Sequence, residues 1–146
     1  MKNKKAGIIS IGAGGIVQHA HLPAYKKAGY TVMGIFDLDV KKAEKAASEF
    51  RIPRVFHTME EAIAAADPSG IFDIAIPASG ILDVLRQLPD GSAILLQKPM
   101  GENLEEANEI MALCREKKFK AGINFQLRYA PYILKARELI SQGLIW

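Results

Sequence analysis

An apolar run that ends in a glycine turn and passes straight into a helical pattern leaves a chain few ways to fold. Ala6–Gly12 (AGIISIG) is such a run, and Gly12-Ala13-Gly14-Gly15-Ile16-Val17 carries it onward. The run has no polar alternation, the pattern of a strand covered on both faces. Parallel strands of that kind need crossover connections, usually helices. Tyr30–Asp37, Arg54–His57, Phe72–Pro77, Ser92–Leu96 and Lys120–Phe125 repeat the pattern, so six strands are expected.

Helical stretches separate these runs. Asp39–Phe50 places Val40, Ala43, Ala47 and Phe50 on one stripe. Thr58-Met59-Glu60-Glu61 is a capping box, and Asn103-Leu104-Glu105-Glu106 resembles one, so a helix is expected to start at each. The second of these helices carries Leu104, Ala107, Ile110 or Met111, and Cys114 at helical spacing. Pro131–Ser141 is a last helix, with Ile133, Ala136, Leu139 and Ile140 apolar. Pro23 is expected to kink or break the first helix, leaving His21-Leu22-Pro23 as a bend. Strands alternating with helices give an α/β class: a doubly wound parallel sheet of about six strands with helices on both faces.

The 146 residues, 49% of them hydrophobic, are enough for a core without staples. One cysteine, Cys114, excludes an intrachain disulfide framework and fits a reducing compartment. The net charge of +3 draws on Lys2, Lys4 and Lys5, which read as a solvated tail; the other cations are interleaved with acids, so no nucleic-acid partner is expected. The basic start and Ala6–Val17 superficially resemble a signal peptide, but Gly7, Gly12, Gly14 and Gly15, and the lack of leucine, fit a strand and turn better. A cytoplasmic location and no membrane association are therefore expected. Gly143-Leu144-Ile145-Trp146 reads either as a helix stop before a further apolar run that is cut short, or as a frayed end.

The glycine turn has the context of a dinucleotide fingerprint. Gly12 permits the tight turn, Gly14 lets backbone approach a pyrophosphate, and the helix start at Gly15 and Ile16 offers free N–H groups. Val17 stands at the third fingerprint position, implying looser packing of helix on strand. A glycine turn without a ligand has the same local sequence. Asp37 ends the second strand, where an acid accepts from ribose hydroxyls and repels a 2′-phosphate; NAD is expected over NADP. Its other reading is an N-cap, for which Asp39 is better placed. His19 and His21 diverge on a helix and His57 stands alone, so no metal is expected. Lys98 lies at the carboxyl end of the fifth strand, on the edge where open parallel sheets bind ligands. It can hydrogen-bond a substrate hydroxyl and shuttle its proton, or be an ordinary loop lysine.

Gly12–Tyr25, Phe36-Asp37-Leu38-Asp39, Gln97-Lys98-Pro99 and Asn124–Pro131, with the Ala136–Gly143 stretch behind it, occur in an order and spacing that resemble the glucose–fructose oxidoreductase / inositol dehydrogenase / rhizopine-catabolism (Gfo/Idh/MocA) family over essentially the whole chain. The resemblance implies a Rossmann-type dinucleotide-binding domain over residues 1–125, with 126–146 beginning the connection to a second domain that supplies the substrate pocket and oligomer contacts; the chain is expected to be truncated before it. It implies hydride transfer between NAD, NADP being the less expected cofactor, and a hydroxyl-bearing carbon of a sugar, cyclitol or related polyol, in a homo-oligomeric parent. Lys98 is the implied catalytic residue. Gly12, Gly14, Gly15, Ile16, Asp37, Leu38, Ile76, Pro77, Ala78, Gln97, Lys98 and Asn124 are the implied cofactor contacts. The chain alone is expected to bind NAD weakly and catalyse nothing. Three positions depart from the family pattern: Gln97 replaces the Glu of Glu-Lys-Pro, Ile81 stands where many members carry His, and Val17 replaces a small residue. The first two lie, on this reading, on the reactive side, and they favour the alternative of a non-catalytic dinucleotide-binding regulator or sensor. A Rossmann-type methyltransferase shares the glycine turn and the strand-two acid but not Gln97-Lys98-Pro99.

Overall fold

The computed structural model describes residues 6–145. Six strands, β1 (Ile8–Ile11), β2 (Val32–Phe36), β3 (Val55–Phe56), β4 (Ile71–Ile74), β5 (Ala93–Leu96) and β6 (Lys120–Ile123), form one sheet in the order β3-β2-β1-β4-β5-β6. Every pairing is parallel. The order reverses between β1 and β4, which makes their carboxyl ends the switch point where such sheets bind ligands. All six expected strands are present. Their ends are trimmed where the chain turns out of the ladder, as at Gly12 and Ala75.

The helices are α1 (Leu22–Ala28), α2 (Val40–Phe50), α3 (Met59–Ala64), α4 (Ile81–Gln87), α5 (Leu104–Glu116) and α6 (Pro131–Ser141). Thr58 Oγ1 accepts from the Glu61 N–H (3.2 Å) and Glu61 Oε2 accepts from the His57 N–H (2.8 Å), so the return bond falls one residue before the cap. Asn103 caps α5 through the Glu106 N–H (2.9 Å). Asp39, not Asp37, caps α2.

Strand alternation splits the core between two faces. Ile9, Ile11, Phe72, Ile74, Ile94 and Leu96 pack with Met59, Ala62, Ile81, Leu85 and Ile110 of α3, α4 and α5. On the other face Ala13, Val17, Leu22 and Ile35 pack with Ala43, Ala46 and Ala47 of α2. Val17 is fully buried there. The contact expected to be loose is closed, because the alanines of α2 leave room for its methyls.

Other expectations need correction. Pro23 does not break the first helix. A π-turn over Val17–His21 runs directly into α1, with Leu22 N–H donating to Val17 O, so the chain stays helical through Pro23 and the irregularity is the wider turn just ahead of it. Leu104 is 78% exposed and lies off the buried stripe of α5, which Ile110 anchors. Helix α6 has the expected bounds, with Ile133, Ala136 and Leu139 half-buried, but no residue of it is fully buried and Ile140 is exposed. Helix α4 was not anticipated; its Ile81-Leu82-Asp83-Val84-Leu85 run is too short for periodicity to tell helix from strand. No helix among the described residues is long and apolar enough to cross a membrane. Lys2, Lys4, Lys5 and Trp146 lie outside the described residues.

Candidate functional site

The chain leaves β1 at Gly12, whose φ of +107° suits glycine. A Cβ there would overlap the Ala75 carbonyl oxygen. The Gly12 N–H donates to Phe36 O (2.7 Å), tying the turn to the end of β2. Asp37 tightens the same junction. Its Oδ2 accepts from the Ala13 N–H (2.7 Å) and its Oδ1 from the Asp39 N–H (2.8 Å). The carboxylate thus orders both the glycine turn and the entry to α2, and each oxygen keeps further acceptor capacity.

Gly14 differs from Gly12. It has no positive φ, and a Cβ built on it would meet nothing within 4 Å. Nothing inside the chain demands glycine there. Gly14 faces a cavity of about 680 Å³ that Gly12, Asp37, Leu38, Ile76 and Pro77 also line. Six expected cofactor contacts therefore share one cleft at the switch point. Met59 and Val84 add apolar walls that the sequence reading did not identify. Lys42 lines it too and is paired with Asp39 (3.7 Å). Gly15 and Ile16 form the helix start beside the cleft, and Ala78 opens the short 3₁₀ turn that leads to α4.

The remaining expected residues lie at the ends of β5 and β6. Gln97 follows β5 and is buried, Lys98 is exposed, and Asn124 follows β6. Gln97 and Asn124 converge on a residue for which no role was expected. His21 is 5% exposed, and its Nε2 lies 3.3 Å from Gln97 Nε2 and 3.0 Å from Asn124 Nδ2. Its Nδ1 lies 2.8 Å from Oδ2 of Asp73, which is fully buried in the middle of β4. Asp73 Oδ1 accepts no well-formed hydrogen bond. Tyr25 stands edge-on to the His21 ring at 6.2 Å. Burial, reinforced by the Asp73 carboxylate, raises its phenol well above the ordinary tyrosine range. The available signal for this cluster was an acid inside an apolar strand, Phe72-Asp73-Ile74, since aspartate is almost never fully buried unless paired. Ile81 is 1% exposed and packs in the α3–α5 core, so its side chain is enclosed there and not presented on the reactive side.

A family model described as an oxidoreductase family with an NAD-binding Rossmann fold, Gfo/Idh/MocA, matches residues 6–125. YceM of Salmonella typhimurium, named as an oxidoreductase, is 33% identical over 90% of this chain and 41% of its own length. The trans-1,2-dihydrobenzene-1,2-diol dehydrogenase of Mus musculus is 30% identical over 85% of this chain and 37% of its own. The chain thus spans about two fifths of these relatives. Among solved structures, the WlbA dehydrogenase of Chromobacterium violaceum, in complex with NADH and UDP-GlcNAcA, superposes with a TM-score of 0.85 at 16% identity, over 98% of this chain and 41% of that one.

Proposed function

This chain belongs to the Gfo/Idh/MocA oxidoreductase family, matched over its NAD-binding Rossmann fold, and from that premise we propose that it is the dinucleotide-binding part of a dehydrogenase acting on a hydroxyl-bearing carbon of a sugar, cyclitol or related polyol. The observation that carries the reading is Gly14, a glycine that neither backbone nor packing requires, facing the cleft that Asp37 closes. A missing side chain with no internal cause points to a ligand that needs the space.

The cleft fits the cofactor. Gly14 and the helix start at Gly15 and Ile16 would take the pyrophosphate, with N–H groups unengaged at the first turn. Asp37 would accept from the adenosine ribose hydroxyls, and Leu38, Ile76, Pro77 and Ala78 would flank the rings. A carboxylate at that point repels a 2′-phosphate and no arginine stands beside it in sequence, which supports NAD over NADP. When bound, the nicotinamide supplies the acceptor or donor of hydride. Lys98, exposed past β5, is the group that would hold the reacting hydroxyl and pass its proton. Gln97 and Asn124, assigned to the cofactor on the sequence, turn their amide nitrogens inward to His21. They would support the site from beneath.

Calorimetric titration of the chain with NADH and with NADPH tests this. Preference for NADH is expected, and Gly14→Ala should weaken it while leaving thermal stability unchanged. No binding of either nucleotide, or equal binding by Gly14→Ala, would overturn the reading.

A further inference from the structure

Gln97 has one amide oxygen and one amide nitrogen, and its neighbours decide which end goes where. The Lys98 N–H lies 2.7 Å from Gln97 Oε1. Only the oxygen can sit there, because an amide nitrogen would set donor against donor. The nitrogen end is therefore the one that faces His21. Asn124 presents its own amide nitrogen to the same ring atom. Two donors aimed at Nε2 leave no place for a proton on it. The ring proton then belongs on Nδ1, where it is donated to Asp73 Oδ2 at 2.8 Å.

We propose that Asp73, His21, Gln97 and Asn124 form a buried positioning relay, in which glutamine at position 97 holds His21 as the neutral Nδ1–H tautomer and thereby fixes the backbone direction at Lys98. Among the described residues, the charged and titratable groups facing the ring are Asp73 from β4 and Tyr25 from α1, and the residues just past β5 and β6 contribute the two amides. The chain of contact runs from a carboxylate in the middle of the sheet to the main chain of its exposed lysine. A carboxylate at position 97 would change the state of the relay, not merely its strength. It would accept from Nε2–H, so the ring would carry protons on both nitrogens between two acids. His21 is a positioning residue on this account, acting on Lys98 through Gln97. The tautomer stands on the geometry alone, whereas its consequence for chemistry rests on the role proposed above for Lys98.

Nitrogen NMR of the full chain, labelled at histidine and at the backbone, tests the relay at pH 7 without cofactor. His21 is the buried histidine, since His19 and His57 are exposed, so its signals are separable. The expected spectrum has a protonated Nδ1 and an unprotonated Nε2. Gln97→Glu should add a proton at Nε2. Gln97→Leu, which removes the acceptor, should speed exchange of the Lys98 amide at least tenfold. A wild-type ring protonated at Nε2 would overturn the tautomer assignment, and a ring unaltered by Gln97→Glu would overturn the claim that residue 97 holds it. An unchanged Lys98 amide in Gln97→Leu would overturn the positioning step. The wild-type spectrum needs no variant to fold. Because no nucleotide is present, failure here is distinct from failure of NADH to bind.

Discussion

In β4 three of the four side chains are buried, whereas in β6 only Ile123 is even half covered. The two strands are two places apart in one sheet. The first has a neighbour on each side and core packed against it; the second is the edge, and the helix that follows it, α6, only half-buries Ile133, Ala136 and Leu139. Around that end Phe125, Leu127, Tyr129, Tyr132 and Leu134 are exposed. Composition contributes, since β4 is Ile-Phe-Asp-Ile and β6 is Lys-Ala-Gly-Ile, and enclosure supplies the rest. The centre joins its packed face to a buried polar cluster, Asp73, His21 and Gln97, to which the β6 end adds Asn124. Stability is therefore expected to reside in the centre.

Equal truncations in the two regions give the largest contrast. Leu85→Ala removes a fully buried side chain from the α3–α5 core and should destabilise by about 2–5 kcal/mol. Leu134→Ala on α6, where the side chain is 50% exposed, should fall within about 0.5 kcal/mol of wild type. Urea unfolding of both variants measures this. Comparable losses would erase the distinction between centre and edge.

That contrast also marks how far the sequence could be read. Six apolar runs and their spacing were enough for six strands, because a strand buried on both faces has few other sequence solutions. Pro131 and Gly143 bracketed α6 correctly, since one starts a helix and the other, at φ +71°, ends it. The burial of α6 was not legible. An amphipathic stripe shows which side seeks cover but not whether anything covers it. At the candidate site, the turn at Gly12 and Gly14 was legible because turn chemistry is local, and Asp37 was legible as the residue at the end of β2. The His21 cluster was not. Its contacts span separations of 52, 76 and 103 residues, and only the sheet order brings them together.

A second contrast compares polar groups. Asp73→Ala leaves the His21 Nδ1–H without its acceptor in a buried site, which should destabilise by about 1–3 kcal/mol. The Lys135–Glu138 pair of α6 is as short, at 2.8 Å, but solvent reaches both partners. Lys135→Ala should change stability by no more than about 0.5 kcal/mol. Chemical denaturation at low and at high salt checks both; a salt-sensitive loss at Asp73 would mean that the cluster is solvated after all. Hydrogen exchange sharpens the same point without a mutation. Amides of β1 and β4 should exchange only on global unfolding, and those of α6 through smaller, earlier openings.

The smallest effect is a pH dependence confined to the centre. The Tyr25 phenol is raised in the fold, first by burial and then by the Asp73 carboxylate. In the unfolded chain a tyrosine titrates near about 10. Below that pH both states hold the proton, and whatever the folded state gains from a neutral phenol beside Asp73 is fully present. As pH rises past about 10 the unfolded chain releases its proton and the folded chain does not, so the unfolded state binds fewer protons and stability falls. Tyr25→Phe should therefore flatten the loss of stability above pH 10 relative to wild type, while costing some stability at neutral pH, where the hydroxyl interacts with the Asp73 carboxylate. Melting temperatures of the two proteins across the alkaline range provide the measurement. Parallel curves would mean that Tyr25 is free to ionise in the folded chain, and that the enclosure distinguishing the centre from the β6 end stops short of α1.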